Sequence, residues 1–228
     1  MADHQPKNET RFEPYPLFAN LHGEPVVVVG GGEVAERKVE TLLEHGASVT
    51  LVAPDATEAL RALAREKRIG WLPRAYEAGD LEGALLVVCA TDDRAVNEAI
   101  YEEANRRRQL VNVVDVPDLC SFIVPSVLRR GRLQIAVSTG GASPSAARDI
   151  RRKLEAEFPA YWEDYLDVMA ELRMLVKSRV SGSMAKRAPL YEAIRASDLL
   201  ERFAAGERPD AETAYSQIVE PLFEEDER

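Results

Sequence analysis

Cysteine is scarce in this chain of 228 residues: Cys89 and Cys120 are the only two, which excludes a disulfide framework and any C-x-x-C metal site and fits a reducing compartment. Histidine is equally sparse, and His4, His22 and His45 have no ligand spacing such as H-E-x-x-H, so no metal site is expected. No stretch approaches the roughly 18 to 20 apolar residues that span a bilayer, and the first residues are polar where a secretion signal would be apolar. A cytoplasmic protein is expected. Positive charge is in deficit: 29 Lys and Arg against 39 Asp and Glu give −10, a field that excludes broad binding to nucleic acid or to an anionic membrane. Aromatics at 7%, with 13 Gly and 13 Pro, exclude collagen-like and low-complexity architectures, while 46% apolar residues are enough for a core. The length fits one large domain or two small ones.

What is present alternates. Behind a polar leader of about 14 residues, expected to be mobile, the run Val26–Val29 reads as a buried strand, and Val34, Lys38, Leu42 and Leu43 recur at helical spacing up to Gly46. Strands are then expected at 48–52, 69–72, 85–88 and 110–114, with helices at 55–67 and 92–107. Strands apolar on both faces that alternate with helices indicate a parallel sheet covered on each side. The alternation ends after Pro117: 121–124 and 134–138 read as strands, with Arg130-Gly131 as a hairpin turn, and everything beyond Ser143 reads as helix. Tyr161, Tyr165, Val168, Met169, Leu172, Leu175 and Val176 form one apolar stripe. The expected architecture is α/β: a Rossmann-like, doubly wound parallel sheet at 1–115, a small β-containing segment at 116–148 and a helical domain at 149–228. A charged tail ends the chain at 224–228.

The first strand runs directly into Gly30-Gly31-Gly32-Glu33-Val34-Ala35, a G-x-G-x-x-A fingerprint in strand–turn–helix context. In a dinucleotide site Gly30 makes the tight turn, Gly32 admits a pyrophosphate to the backbone, and Ala35 lets helix and strand pack closely; the competing reading is a purely structural turn. The helix start would attract the anion through its free amides and dipole. The second strand ends at Pro54-Asp55, so Asp55 is either the acid for the ribose hydroxyl or a cap of the next helix. No arginine stands at that point, which favours NAD over NADP. Ala90 and Thr91, at the carboxyl end of the fourth strand, are small enough for cofactor contact, and Cys89 reads as a buried small residue rather than a nucleophile.

The fifth strand ends at Asp115, at the same sheet edge; it either faces whatever lies against the cofactor or caps its loop before Pro117. Between Arg129 and Lys153 seven cations face Asp149 alone, a local +6 that leaves −16 for the remainder. Within that segment Ser138-Thr139-Gly140-Gly141-Ala142 leads to a helix with Ser143 as N-cap and Pro144 at its first position. Such a loop offers amides and hydroxyls to an anion, with Arg148 and Arg151 following; the alternative is a solvated helix face.

Taken together, Tyr15-Pro16-Leu17-Phe18, the stretch Val29 to Lys38, Ala90-Thr91-Asp92-Asp93, Asn112-Val113-Val114-Asp115, Ser121 to Ser126 and Ala136 to Pro144 resemble the precorrin-2 dehydrogenase and sirohydrochlorin ferrochelatase family, the module found alone or as the N-terminal part of siroheme synthase. The resemblance is loose beyond about Lys153. It implies NAD-dependent oxidation of precorrin-2 to sirohydrochlorin in a homodimer that exchanges strands within about 116–148, with Asp115 catalytic and NAD contacts at Glu33, Val34, Pro54 and Asp55. The anionic tetrapyrrole would then meet Ser138, Thr139, Gly140, Gly141, Arg148 and Arg151; Thr139 stands where some relatives carry serine. Metal insertion, with Fe2+ or Co2+ as substrate, is a second reaction in part of the family. No methyltransferase region follows, so precorrin-2 would come from another protein. The competing class is a non-catalytic, NAD-sensing Rossmann module, which needs no Asp115; a dehydrogenase of a small acidic metabolite is the other alternative.

Overall fold

The computed structural model describes residues 14–226; residues 1–13 and 227–228, on which most of the expected leader and the end of the charged tail fall, lie outside it. The described residues form two compact units, divided between Val124 and Pro125.

The first unit is a parallel five-stranded sheet of order β3-β2-β1-β4-β5. Its strands are β1 (Pro25–Val29), β2 (Ser48–Val52), β3 (Gly70–Leu72), β4 (Leu86–Cys89) and β5 (Leu110–Val113), connected through helices α1 (Glu33–Glu44), α2 (Glu58–Arg65) and α3 (Arg94–Arg107). Successive side chains of a strand point to opposite faces, and the core divides accordingly. Val26 and Val28 of β1 and Leu86 and Val88 of β4 pack with Ala35, Val39 and Leu42 of α1 and Leu60 of α2. Val27 and Val29 of β1 and Val87 and Cys89 of β4 pack on the other face with Ile100 and Ala104 of α3. The valine run is thus buried on both sides, as a strand covered by helices on each face requires.

Three local expectations are corrected. Helix α2 starts at Glu58 rather than Asp55, because Thr57 is the N-cap and its hydroxyl accepts from the Leu60 amide at 3.3 Å. Helix α3 starts at Arg94, with the Asp93 carboxylate accepting from the amides of Ala95 and Val96. Residues 121–124 form no strand. Ser121 ties itself to β5 by backbone and hydroxyl (Ser121 N to Val111 O, 2.8 Å; Val111 N to Ser121 Oγ, 2.8 Å), and the Asn112 side chain takes the Phe122 carbonyl. Side chains therefore replace the backbone pairs of a ladder, and Pro125 supplies no donor to extend one.

These ties explain why the contacts place the boundary at 124/125, where the sequence reading placed divisions at 115/116 and 148/149: the turn Pro117–Leu119 and the segment after it fold back on β5. The second unit opens with the antiparallel hairpin β6 (Ser126–Arg130) and β7 (Leu133–Val137), turning at Gly131 with φ +52°. Helices α4 (Pro144–Glu157), α5 (Tyr161–Arg179), α6 (Met184–Ala196), α7 (Leu199–Ala204), α8 (Ala211–Ile218) and α9 (Glu220–Asp226) follow. The α5 stripe packs with Leu190, Ile194, Phe203 and Tyr215. No helix among the described residues is long and apolar enough to cross a membrane.

The long β3–β4 connection is pinned by one buried acid. Glu103 of α3, only 3% exposed, accepts from the Tyr76 hydroxyl (2.6 Å), the Gly79 amide (3.0 Å) and Arg107 Nε (2.9 Å). Burial pushes its carboxyl up, but these donors outweigh burial and leave it below the ordinary glutamate range. A depressed folded value means that the contribution is present above the unfolded value, about pH 4, and is lost as pH falls through the folded one. Glu103→Gln is expected to lower stability at neutral pH by about 2 kcal/mol. The gap should close toward pH 3; urea midpoints with an equal difference at both pH values would refute this account.

Candidate active site

The glycine loop performs three separate tasks. Gly30, at φ +114°, donates its amide to Val52 O at 3.0 Å, and a Cβ there would lie 2.2 Å from Ala90 O, so the turn threads between the ends of β2 and β4. Gly31 is as constrained: a Cβ would lie 1.9 Å from Asp55 O, and its carbonyl accepts from the Thr57 amide at 2.9 Å. The fingerprint leaves that position open, so sequence reasoning missed it. Gly32, the residue before α1, has nothing within 4 Å of where its Cβ would stand, and Ala35 is fully buried beneath. The first-turn amides of α1 have no intrahelical acceptors and sit at the positive end of its dipole. Open space above Gly32 beside those donors fits the pyrophosphate of a dinucleotide. Glu33 and Val34, both exposed, begin the helix at its rim.

The order 3-2-1-4-5 puts the topological switch between β1 and β4, where ligands of such sheets lie. A cleft of about 520 Å³ opens there, with Val34, Ala90, Thr91, Asn97, Val114 and Asp115 among its walls. Asn97, buried at 5% exposure, holds the β4 turn: its amide donates to Thr91 O at 3.1 Å, and its carbonyl accepts from Thr91 Oγ1 (3.2 Å) and Cys89 Sγ (2.9 Å). Sequence reasoning did not find this residue; its signal is a polar position beside Ile100 and Ala104 on the inward face of α3. Burial pushes the Cys89 thiol up to about 11, so it stays protonated and is no nucleophile.

Asp115 sits on the cleft wall in the left-handed region, φ +62°, exposed, in a turn closed by Val116 N to Val113 O at 3.2 Å. Its carboxylate accepts no hydrogen bond among the described residues, so it does not act as the loop cap that the sequence left open. The left-handed conformation costs a non-glycine residue about 1 kcal/mol.

At the end of β2, Pro54 and Asp55 are exposed. Asp55 Oδ1 accepts from the Ala56 amide at 2.8 Å and pairs with the Arg61 guanidinium. Arg61 also donates from Nε to Ala56 O at 2.8 Å and lies over the Trp71 ring, 5.9 Å from its centroid. An arginine therefore does stand beside Asp55, correcting the sequence reading; it reaches back six residues from inside α2.

The remaining candidates lie in the second unit. Thr139 Oγ1 accepts from Ser143 N (3.0 Å) and donates to Ser143 O (3.1 Å), Ser138 Oγ accepts from Gly140 N (3.0 Å), and Ser143 caps α4 through Ala146 N (3.2 Å). Gly140 and Gly141, at φ +60° and +85°, carry the loop round. Arg148 is exposed and makes no ion pair among the described residues, whereas Arg151 is held by Glu155. Asp167 takes Arg132 at 2.7 Å, so acids from outside 129–153 offset part of that segment's charge. Among the described residues no group of three His, Cys, Asp or Glu is placed to hold a metal ion.

A glycine loop between β1 and α1, at the switch point of a parallel sheet, defines a dinucleotide-binding protein of the Rossmann class, and the model of an NAD(P)-binding family matches residues 17–126. The model for the central region of sirohaem biosynthesis proteins matches residues 130–157, which include the Ser138–Ser143 loop and α4. Siroheme synthase of Methylobacillus flagellatus is 41% identical over 207 residues, 91% of this chain and 44% of that protein. Siroheme synthase 1 of Aeromonas salmonicida is 41% identical over 212 residues, 92% of this chain and 44% of that protein. The chain spans less than half the length of these curated relatives. The solved structure of SirC, a precorrin-2 dehydrogenase, superposes with a TM-score of 0.71 at 27% identity, covering 84% of this chain and all of that one. The chain belongs to the siroheme synthase family and matches the part of those proteins that carries the NAD(P)-binding and central sirohaem-biosynthesis regions.

Proposed function

We propose that this chain oxidises precorrin-2 to sirohydrochlorin with NAD. The observation that carries this reading is the exposed Asp115 carboxylate, which accepts no hydrogen bond among the described residues, on the wall of the cleft beside the glycine loop. Gly30, Gly32, Glu33 and Val34 hold the pyrophosphate side of the cofactor, Pro54 and Asp55 its adenosine ribose, and Ala90 and Thr91 line its path along β4. NAD, when bound, supplies the acceptor for the hydride lost by the substrate. The second hydrogen leaves as a proton, which Asp115 takes from the macrocycle and passes to water. A carboxylate that makes no other hydrogen bond among the described residues is free for that transfer.

The substrate carries several acetate and propionate groups. Arg148 and Arg151, with the loop of Ser138, Thr139, Gly140 and Gly141, supply cations and amides for them; Thr139 serves by holding the loop closed rather than by direct contact. A homodimer exchanging strands within 116–148 is part of the proposal, supported by the apolar side chains that β6 and α4 leave exposed, Val127 and Ile150. The three-part division at 115 and 148 describes the roles of these segments in that dimer, and the compartment is the cytoplasm. In a second step Fe2+ or Co2+ enters sirohydrochlorin as substrate, with Asp115 accepting the pyrrole protons.

Anaerobic incubation with precorrin-2 and NAD is expected to yield one NADH per sirohydrochlorin formed, read by absorbance. Binding of NAD without any NADH formation would replace this reading by a cofactor-sensing module. Adding sirohydrochlorin with Fe2+ or Co2+ tests the metal step separately.

A further inference from the structure

Asp55 and Arg61 form one device at the ribose end of the cofactor site, and we propose that Arg61 is the residue through which this protein chooses between NAD and NADP. The inference rests on the cofactor placement described above and goes beyond it by assigning Arg61, which the fingerprint does not contain. An acid at the end of the second strand of such a fold accepts from the ribose 2′-hydroxyl, and an arginine nearby accommodates a 2′-phosphate. Here both are present, and they are bonded to each other.

The Arg61 guanidinium is held at three points: the Asp55 carboxylate, the Ala56 carbonyl and the Trp71 face. Trp71 is itself fixed, donating Nε1 to Ala53 O at 3.0 Å. The neighbouring acid of α2, Glu58, is bonded to Arg65 at 2.6 Å, and Arg61 reaches it only through the longer-range attraction of its charge. Asp55 Oδ1 is used by Ala56 N and Arg61, so Oδ2 remains to accept from a ribose hydroxyl. The close approach of Gly31 to Asp55 O fixes this pair against the phosphate-binding loop. With Asp55 in place, its negative charge repels a 2′-phosphate and occupies the cation that would bind it. Remove the carboxylate, and Arg61 keeps its two other anchors and presents unpaired donors in the fork geometry that suits phosphate. Arg61 is thus a positioning residue for NAD and the latent receptor for NADP.

The test measures dissociation constants of NADH and NADPH by calorimetry on the full chain, without substrate. The wild type is expected to prefer NADH. Asp55→Ala should move the ratio of the two constants toward NADPH by about a hundredfold. Asp55→Ala combined with Arg61→Ala should lose most of that gain, and Arg61→Lys in the Asp55→Ala background should keep part of it. Arg61→Ala alone should weaken NADH several-fold. A ratio unchanged by Asp55→Ala, or a gain that persists in the double variant, overturns the assignment while leaving the cofactor site standing. Failure of the wild type to bind either nucleotide removes the cofactor reading and this inference together.

Discussion

Asp115→Asn is expected to lower the rate of NADH formation by about a thousandfold while changing NAD affinity less than about threefold. Asparagine preserves size and hydrogen bonding but cannot take a proton, and it is among the few residues that accept the left-handed backbone found here, φ +62°. The fold should be unaffected, since the side chain is exposed and bonds to nothing among the described residues. Single-turnover kinetics and nucleotide titration on the same preparation separate the two effects. Turnover at the wild-type rate would remove Asp115 from the chemistry, and equal loss of affinity and rate would make it a binding residue. A strained turn whose side chain contributes nothing to the turn itself is the reason to look for its use in the cleft.

The second large effect distinguishes two adjacent glycines. Gly31→Ala forces a methyl to within 1.9 Å of the Asp55 carbonyl, a backbone atom that cannot swing aside, so the β2–α2 loop must move. A loss of about 3 kcal/mol of stability is expected, together with loss of NAD binding. Gly32→Ala meets nothing within 4 Å and has an ordinary φ of −84°, so unfolding should change by less than about 1 kcal/mol. Its methyl instead enters the space assigned to the pyrophosphate, and NAD affinity should fall about a hundredfold. Urea unfolding and calorimetry on both variants check the contrast. Equal stability of the two, or full NAD affinity in Gly32→Ala, would contradict the division of labour in the loop.

Much of this site was legible from local pattern. The valine run, the glycine loop and the acid after β5 announce themselves because each is set by rules spanning only a few residues: burial on both faces of a strand, the absence of a Cβ at a tight turn, the end of an apolar run. The Ser143 cap and Pro144 at the start of α4 were readable for the same reason. Residues 121–124 misled because an apolar segment after a turn resembles a strand, while the actual partners of Ser121 and Phe122 are β5 groups about ten residues earlier.

Sequence alone determined the doubly wound sheet and its cofactor loop, since periodicity and turn chemistry are encoded between near neighbours. Tertiary structure decided which polar groups are occupied. Arg61 is tied to Asp55 and Trp71, Asn97 to Thr91 and Cys89, and Arg151 to Glu155, whereas the Asp115 carboxylate accepts no hydrogen bond among the described residues. Composition counts charges and donors, but their availability depends on which side chains the folded backbone brings within hydrogen-bonding reach, and the strongest of those encounters at the cofactor edge join different elements of the fold.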